Sequence, residues 1–520
     1  MSESLKSGIE QFKDNIFGLK DSLTKSYLRA GKPTSDMSRA ALMVNNFFLH
    51  IQGAKTHINT LRPAYTLGMG LIAFYLFIIT CVSGALVMIF YNPSIEHAYS
   101  TVKDINYVVF AGRLMRNVHK WSGEGMIVFV LLHMARVLYT NSYKRGREFN
   151  WLIGIVLLVL TFVLNLTGYM LPWDQLSYWA LVIVSNIIQS PKELTDILGL
   201  TKFVDIGGIQ KEFFLAGTVP GAATLNRVYF LHIMLLPIII TTFIGVHFWR
   251  IRKDGGLTVP DNFNSSCNVD CGNLVVLPKK TGGIFTTNKT YGLMTMSKGV
   301  TPAVDRDVEN TVLSWPNLAI AEAAVFVLCL AAVIVYSIFV DAPLKEAANA
   351  LIPENPAKAP WYFLGLQEMV SYSAFMGSIV IPMLSVLGLA LIPYLDRDQS
   401  DVGIWFSGSA GKKVAIKTLI VGSVCLIGML AFVVNFGWFR NWWPSIAQIW
   451  IILINPANLW LLFVCAWSIW IIKSTGSTRM GAIALFTMFL VSYLILTYVG
   501  TELRGPNWEF FWSKAQWPIH

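Results

Sequence analysis

Four histidines lie in two apolar segments of the chain, and their spacing suits the binding of flat metal cofactors. His119 and His133 are fourteen positions apart, and the second pair, His232 and His247, is fifteen apart. Fourteen residues return a helix to within about 40° of the same face, roughly 21 Å further along its axis. If the two helices face each other, each can supply one ligand to an upper pair and one to a lower pair. Paired imidazoles can ligate haem iron axially. The spacing therefore predicts that two haems are stacked across a membrane and that these haems carry electrons through it.

Glycines at the same spacing support this interpretation. Gly70 and Gly84 are fourteen positions apart in one apolar segment, and Gly154 and Gly168 are fourteen apart in another. A macrocycle between helices requires its neighbours to approach closely, and glycine permits that approach. Glycine is common in membrane helices, so one pair alone is weak support. Two pairs that match the histidines favour a four-helix bundle around two cofactors.

Two arginines near these histidines are candidate partners for anionic haem propionates. Arg116 lies three residues before His119, and Arg136 lies three residues after His133. Each therefore stands about one helical turn from its histidine. Flanking positive charge explains Arg136 equally well but does not explain Arg116 on the outer side. Arg227 could instead serve helix packing through an ion pair.

The composition indicates an all-α, polytopic membrane protein. Hydrophobic residues make up 54% of the 520 positions and charged residues only 13%, well below the roughly 25% charged residues of soluble domains. The apolar runs predict nine spans, near 67–91, 113–139, 151–171, 228–249, 316–340, 371–394, 414–437, 447–472 and 480–500. Four would form the dihaem bundle and about five would follow it. Pro444 and Pro456 leave open an interfacial or re-entrant piece before the last spans.

The charge distribution predicts the orientation. The first sixty residues are polar and basic, so we expect a cytoplasmic amino terminus and no cleavable signal peptide. The net charge of +10 is spread over the predicted inner loops. It therefore indicates topology and contact with membrane lipid, and nucleic-acid binding is a poor alternative.

Residues from about 65 to 395 resemble the cytochrome b family of Rieske/cytochrome b complexes, which oxidise quinol. The motifs that carry the resemblance are Arg116-x-x-His119, His133-x-x-Arg136, the segment from Gly168 to Gln175, Arg227 ahead of Leu231-His232, and Ile251-Arg252-Lys253. The fifteen-position spacing is closer to the cytochrome bf branch, and the chain beyond about 315 resembles the following subunit of that branch in fused form. The resemblance implies a low-potential haem b at His119 and His232 and a high-potential haem b at the inner pair.

The outer quinol site of the family carries Pro-Glu-Trp-Tyr, whereas this chain has Ala359-Pro360-Trp361-Tyr362. The aromatic pair is kept and the glutamate is missing. Quinol oxidation releases protons, so a carboxylate acceptor is expected near the ring. Glu368 is the preferred replacement and Glu354 the second choice. The alternative for Glu368 is a structural carboxylate that caps a helix or pairs with an arginine.

Further site residues follow from the resemblance. Tyr178 and Trp179 resemble the surface helix that lines the quinol pocket, and Asp174 and Gln175 are either polar contacts there or a turn and helix cap. The candidates for an inner quinone-reducing site are Arg252, Lys253 and Asp254, although topology alone also predicts basic residues at that helix end.

The resemblance also implies partners and a location. We expect a Rieske iron–sulfur protein, a c-type cytochrome, a homodimeric complex and a bacterial cytoplasmic or equivalent energy-conserving membrane. The altered tetrapeptide makes menaquinone the favoured quinone. The expected regions are an amino-terminal arm at 1–64 with an interfacial helix near 38–60, the dihaem bundle at 65–251, a linker at 252–312, quinol-site helices at 313–410, and further spans at 411–520.

Other observations limit these expectations. The inner end of the first span, Leu67 to Gly70, holds no cysteine, so we expect no covalently attached haem there. The roles of Cys267 and Cys271 stay open. Two alternative functions are a dihaem anchor that passes electrons between quinone and a peripheral dehydrogenase, and a haem-free transporter in which the histidines only pack.

Overall fold

The computed structural model describes residues 10, 12–21, 33–46, 49–260 and 310–518. Within these residues, nine helices are long and apolar enough to cross a membrane. They are Met69–Met88, Gly112–Tyr139, Glu148–Tyr169, Ala222–Lys253, Ser314–Phe339, Met376–Leu395, Ser409–Trp442, Gln448–Thr475 and Thr478–Leu503. The predicted all-α class and the nine predicted spans are confirmed. The chain is a multi-pass membrane protein.

We number the α-helices in chain order. They are α1 Asp36–Asn45, α2 Pro63–Thr66, α3 Met69–Met88, α4 Ala98–Tyr107, α5 Gly112–Tyr139, α6 Glu148–Tyr169, α7 Gln175–Gln189, α8 Pro191–Ile197, α9 Ile206–Leu215, α10 Ala222–Phe230, α11 Leu236–Lys253, α12 Ser314–Phe339, α13 Trp361–Val370, α14 Ile381–Leu395, α15 Ser409–Phe436, α16 Phe439–Trp442, α17 Gln448–Leu453, α18 Pro456–Thr475 and α19 Thr478–Tyr498. Short 3₁₀ helices lie at Leu49–Ile51, Ile58–Leu61, Leu200–Lys202, Trp405–Ser407, Pro506–Trp508 and Lys514–Gln516.

The chain divides into two compact units. The smaller comprises the described parts of Met1–Leu67, Ile251–Leu257 and Asn264–Ala324, and the larger comprises the described parts of Gly68–Arg250, Thr258–Phe263 and Val325–His520. In the smaller unit, strands β1 (Lys55–His57) and β2 (Thr311–Leu313) pair in antiparallel register. Helix α1 begins at a capping box on Ser35 and occupies only part of the 38–60 range expected to be helical. Cys267 and Cys271 lie outside the described residues.

In the larger unit, α3, α5, α6 and the span from α10 to α11 form the bundle that holds the four histidines, which we name the histidine bundle. One buried apolar cluster takes side chains from all four of its members: Leu76, Phe77, Met126, Leu164, Leu236 and Ile240. Each of the four segments places at least one apolar side chain in this shared interior. The bundle therefore has a common core at mid-height, between the levels of the two histidine pairs.

Three π-helical turns interrupt the spans, at Leu231–Leu235, Met376–Val380 and Val499–Leu503. In the first two, a proline lies two positions after the end of the turn, Pro237 in α11 and Pro382 in α14. A proline inside a helix has no N–H to donate, and its ring clashes with the carbonyl four residues earlier. The wider π turn relieves both problems and inserts one extra residue into the helix.

The back half of the chain packs on the bundle through α14 and α19. Helices α5 and α6 share a buried cluster with these two helices, in which Trp151, Leu389 and Phe486 take part. The Trp151 indole Nε1 donates to the carbonyl of Leu389 at 2.8 Å. Helix α19 contributes to a second cluster with α15 and α18, which includes Leu426, Trp460 and Met488. The long apolar surface of α19 thus connects the two halves.

Candidate functional site

The four histidines meet as the two predicted pairs. The ring centroids of His119 and His232 are 6.0 Å apart with planes at 88°. Those of His133 and His247 are 6.4 Å apart with planes at 82°. With a metal–nitrogen bond of about 2.0 Å and a ring centre about 1.1 Å behind the nitrogen, two imidazoles on opposite sides of one metal have centroids about 6.2 Å apart. Both separations match a shared axial metal.

The π turn explains why fifteen positions, and not fourteen, separate His232 from His247. His232 lies inside the turn Leu231–Leu235, and His247 lies in the regular helix α11. One extra residue in a π turn adds a position without advancing the register of the helix. The two imidazoles therefore face α5 as they would at fourteen-residue spacing. The unequal spacing was the sequence signal for this turn, but its cause was not predicted.

Neighbouring backbone fixes the tautomer of the upper pair. His119 Nδ1 lies 3.0 Å from the Thr80 carbonyl oxygen, and His232 Nδ1 lies 3.1 Å from that of Leu164. A carbonyl oxygen only accepts, so Nδ1 of each ring carries the proton and donates. Each Nε2 then presents its lone pair. Metal-bound histidines are held in this way, with the second ring nitrogen donating to a carbonyl.

Hydroxyl groups support the same two rings. Ser83 Oγ lies 3.3 Å from His119 Nδ1, and Thr167 Oγ1 lies 3.1 Å from His232 Nδ1. In the described chain, every hydrogen bond of these two imidazoles uses Nδ1. The rings are thus oriented from one side by helices α3 and α6.

Three of the four glycines contact an imidazole. A Cβ on Gly84 would lie 2.8 Å from His119 Cε1, and one on Gly70 would lie 2.8 Å from His133 Cε1. A Cβ on Gly168 would lie 2.6 Å from His232 Cε1. These distances leave no room for a side chain. For Gly154, no described atom lies within 4 Å of the Cβ position, so its part in the site stays a prediction.

The donor set fits a haem better than a bare metal ion. Among the described residues, no group of three or more His, Cys, Asp or Glu side chains could hold a metal ion. Each pair brings two imidazole rings together, with centroids 6.0 Å or 6.4 Å apart. Haem supplies the remaining in-plane ligands and takes one imidazole on each face. The separations of the two pairs fit a group of this kind.

Arg116 holds a loop of the protein itself. Its guanidinium donates to the carbonyl oxygens of Ala342 at 2.9 Å and Pro343 at 2.6 Å. Asn117 and Arg113, on the same turn of α5, bind Asp341. These two hydrogen bonds lower the pKa of Asp341, with the charge of Arg113 adding to the effect. The segment after α12 is therefore clamped to the start of α5, and the predicted propionate role of Arg116 stays a prediction.

Other arginines have different environments. Arg136 is only 4% exposed, within α5, as expected for a cation held in the protein interior. Arg227 donates to the Phe213 carbonyl and lies over the Phe213 ring, 5.7 Å from its centroid. Arg227 thus packs α10 against α9 through a carbonyl and a ring, whereas the sequence suggested an ion pair, and the described residues include no ion-pair partner for it.

Trp361 and Tyr362 begin helix α13 beside the bundle. The Tyr362 ring is 3% exposed and lies 5.9 Å from the Phe162 ring of α6. Trp361 packs edge-on against it at 5.6 Å. Tyr178, on α7, packs between Trp173 and Trp179 at 5.8 Å and 5.6 Å. The predicted aromatic residues therefore lie on two helices, α13 and α7.

Asp174 and Gln175 connect α7 to the loop before α13. Asp174 caps α7 by accepting from the Ser177 N–H at 2.9 Å and also accepts from the Lys345 N–H at 2.9 Å. Gln175 donates to the Ile352 carbonyl at 2.6 Å and accepts from the Asn349 N–H at 2.7 Å. Their contacts match the turn-and-cap alternative.

Glu368 has the environment of a structural carboxylate. It is fully buried and accepts from Arg504 Nε at 2.9 Å and Nη2 at 2.5 Å. The Tyr372 hydroxyl donates at 3.1 Å and the Trp508 indole at 3.0 Å. We name these four residues the Glu368 network. Four hydrogen bonds from protein donors already occupy the Glu368 carboxylate, which matches the arginine-paired alternative, and the proton-acceptor role of Glu368 stays a prediction.

Glu354, the second choice, is also paired. Its carboxylate oxygens lie 2.9 Å and 3.1 Å from Lys345 Nζ. At the other predicted site, Arg252 ends α11 and donates to the His50 carbonyl within the smaller unit. Asp254 follows just after that helix. The quinone role of Arg252, Lys253 and Asp254 stays a prediction.

Sequence reasoning missed one ionisable pair inside a span. Lys120 and Glu124 lie one turn apart on α5, with Lys120 Nζ 2.5 Å from Glu124 Oε1. Two charged residues at four-residue spacing in an apolar span were the available signal, because such residues are seldom placed in a membrane without a function.

The fold and the site define a polytopic membrane protein with a paired-histidine helical bundle. Residues 124–352 match the family model described as "Cytochrome b(N-terminal)/b6/petB". Cytochrome b6 of Gracilaria tenuistipitata var. liui is 37% identical over 187 residues, which are 36% of this chain and 81% of that protein. Cytochrome b6 of Heliobacterium mobile is 39% identical over 198 residues, 37% of this chain and 87% of that protein. The chain belongs to the cytochrome b6 family, which confirms the resemblance.

A solved structure extends the similarity over more of the chain. The structure titled "Hyperthermophilic respiratory Complex III" matches with a TM-score of 0.53 and 22% identity, over 84% of this chain and 92% of that chain. At this identity the likeness concerns the fold alone. It reaches well beyond the residues that the cytochrome b6 relatives cover.

Proposed function

We propose that this chain is the cytochrome b subunit of a quinol-oxidising complex and carries electrons across the membrane between an outer and an inner quinone site. The observation that carries the proposal is the pair of imidazole couples, at 6.0 Å and 6.4 Å between centroids, one above the other in the histidine bundle. Membership of the cytochrome b6 family supports it.

His119 and His232 would hold the outer haem b, and His133 and His247 the inner one. Haem supplies an iron that gains and loses one electron. The residues of the chain orient the haem ligands and set the environment of the haem. Carbonyls of α3 and α6 orient the upper rings, glycines on those helices give them room, and apolar side chains between the two levels exclude water. A low-dielectric interior of this kind tunes the potential of the bound group.

The outer quinol site would lie beside the first pair, where α13 brings Trp361 and Tyr362 against Phe162 of α6. Tyr178 on α7 belongs to the same region by resemblance. The inner quinone site would use Arg252 and Asp254. Arg116 and Arg136 are proposed as propionate partners, and Gly154 as a neighbour of the inner haem.

The complex would include partners that the chain itself does not contain. We propose a Rieske iron–sulfur protein and a c-type cytochrome as electron acceptors, a homodimer, and menaquinone as the substrate pool. The proposed location is a bacterial cytoplasmic membrane with the amino terminus inside. Regions 1–64, 65–251, 252–312, 313–410 and 411–520 are proposed as arm, dihaem bundle, linker, quinol-site helices and additional spans.

The test uses the whole complex, purified with its native partners and mixed with a short-chain quinol. Haem b absorbance is followed after a pulse of oxidised c-type cytochrome. If one electron of each quinol goes to the acceptor and the other enters this chain, adding the oxidant increases the reduction of haem b. A dehydrogenase anchor behaves oppositely, because its haems are oxidised when an oxidant is added. That opposite response would contradict the proposal.

A further inference from the structure

The Lys120–Glu124 pair lies in the part of α5 that faces the proposed quinol site. The side chains are 25% and 16% exposed, and no other ion-pair or hydrogen-bond partner of the Glu124 carboxylate is present among the described residues. A carboxylate has about four lone-pair positions for hydrogen bonds. The Glu124 carboxylate can therefore accept further hydrogen bonds, whereas the Glu368 carboxylate already accepts four.

The groups that face this pair come from two helices, α6 and α13. Lys120 Nζ lies over the Tyr169 ring of α6, 5.3 Å from its centroid. Tyr169 and Phe162 are seven residues apart, so they share one face of α6, and Phe162 contacts Tyr362 of α13. Burial raises the pKa of the Tyr362 hydroxyl well above its ordinary value, and the negative charge of Glu124 raises it further. Glu124, Tyr169 and Tyr362 thus surround one region.

Three other carboxylates near this region are engaged elsewhere. Asp174 caps α7 and also binds a backbone N–H of the loop before α13. Glu354 is paired with a lysine of that loop, and Glu368 is paired with an arginine in the Glu368 network. Of the four carboxylates, that of Glu124 lies within a membrane span and has a single partner in the described chain. It is therefore the best placed of the four to take up a proton.

We propose that Glu124 accepts a proton from quinol at the outer site, in place of the glutamate that Pro360 replaces in the tetrapeptide. This inference rests on the proposed function. A quinol O–H bond breaks and an O–H bond forms on the Glu124 carboxylate. The quinol would lose one electron to the iron–sulfur or c-type acceptor and one to the haem that His119 and His232 would hold, and its second proton would leave to solvent. Lys120 holds the carboxylate towards Tyr169 before the transfer.

The test compares Glu124→Gln, Glu124→Asp and the control Glu346→Gln in the whole complex. Glu346 is an exposed carboxylate in the loop before α13. Losing a positioned proton acceptor lowers turnover by about 10²-fold or more. We expect that loss in kcat for Glu124→Gln, with KM and the haem spectrum unchanged. Glu124→Asp should recover part of the rate with a displaced pH profile, and Glu346→Gln should behave as wild type.

A second readout does not depend on activity. The infrared difference spectrum between quinol-treated and oxidised complex should contain a carboxyl C=O band that is shifted in Glu124→Asp. Wild-type turnover and an unchanged pH profile in Glu124→Gln would overturn the inference, as would the absence of any carboxylate change at this residue. If wild-type complex itself does not oxidise quinol, the proposed function fails as well, so the two failures are distinguishable.

Discussion

The histidine bundle and the Glu368 network both bury polar side chains in an apolar protein, but they use them differently. In the Glu368 network, one carboxylate accepts four hydrogen bonds from Arg504, Tyr372 and Trp508. In the histidine bundle, the described hydrogen bonds of His119 and His232 use only Nδ1. In the Glu368 network, the buried carboxylate is hydrogen-bonded entirely by protein donors. In the histidine bundle, hydrogen bonds to Nδ1 orient each ring and leave Nε2 available to a ligand.

The difference separates polar groups that stabilise from polar groups that bind. A buried ion pair is stable only when its remaining lone pairs and protons are also satisfied, as they are around Glu368. A metal ligand needs the opposite arrangement, with one atom fixed by the protein and another directed at the ligand. Glu124 resembles the second class, because it has one partner in the described chain and lies within a span.

The largest effect should follow from breaking the Glu368 network. Arg504→Ala leaves the Glu368 charge buried without its cation, which costs about 3–5 kcal/mol of folding free energy. Thermal unfolding of the purified protein in detergent should show a large drop in midpoint temperature. Lys345→Ala, which removes a more exposed pair with Glu354, should change the midpoint little. Equal effects of the two variants would mean that the buried network is not a stabilising unit.

A smaller effect is expected where a glycine contacts an imidazole. Gly84→Val forces a side chain against His119, and overpacking of this kind costs about 1–3 kcal/mol. We expect lower haem content at the outer pair only, measured as haem per polypeptide. The matched control is Gly428→Val in α15, because no described atom lies within 4 Å of its Cβ position. Full haem content in Gly84→Val would show that close approach is not required there.

The smallest effect should come from removing one hydroxyl near His232. Thr167→Val deletes the contact of 3.1 Å with Nδ1 but leaves the Leu164 carbonyl in place. The loss of one such hydrogen bond is worth about 0.5–1.5 kcal/mol. We expect a shift in the redox midpoint of the outer haem alone. Thr241→Val is the control, because its hydroxyl bonds only to Pro237 of its own helix. A shift in both haems would contradict the assignment of Thr167 to one level.

The sequence was sufficient for the features that repeat along a helix. Apolar runs predicted the nine spans, and the spacing of His119, His133, His232 and His247 predicted the two pairs. Both follow from helix geometry, which is local and periodic. The π turn at Leu231–Leu235 was not predicted. Its sign in the sequence was the spacing of fifteen positions, and not fourteen, between His232 and His247.

Contacts between distant segments could not be predicted. Arg504 and Glu368 are separated by 136 positions, so no local pattern shows that they meet. Without knowledge of that contact, the sequence could give an arginine partner for Glu368 only as an alternative to a proton-acceptor role. The hydrogen bonds from Arg116 to the carbonyls of Ala342 and Pro343 could not be predicted for the same reason, because these residues are far apart in the sequence. Partner identity in a membrane interior depends on tertiary packing, which one sequence does not specify.

The central claim is that each histidine pair holds one haem, and the most direct measurement is haem per polypeptide with a redox-titrated absorption spectrum. The variants are His119→Ala and His133→Ala, and the control is His97→Ala, which removes a histidine outside the bundle, directly before α4. The account predicts two b-type haems with separate midpoint potentials in wild type and in His97→Ala, and the loss of a different one in each bundle variant. Absence of haem in the wild type, or retention of both haems in the two bundle variants, would contradict it.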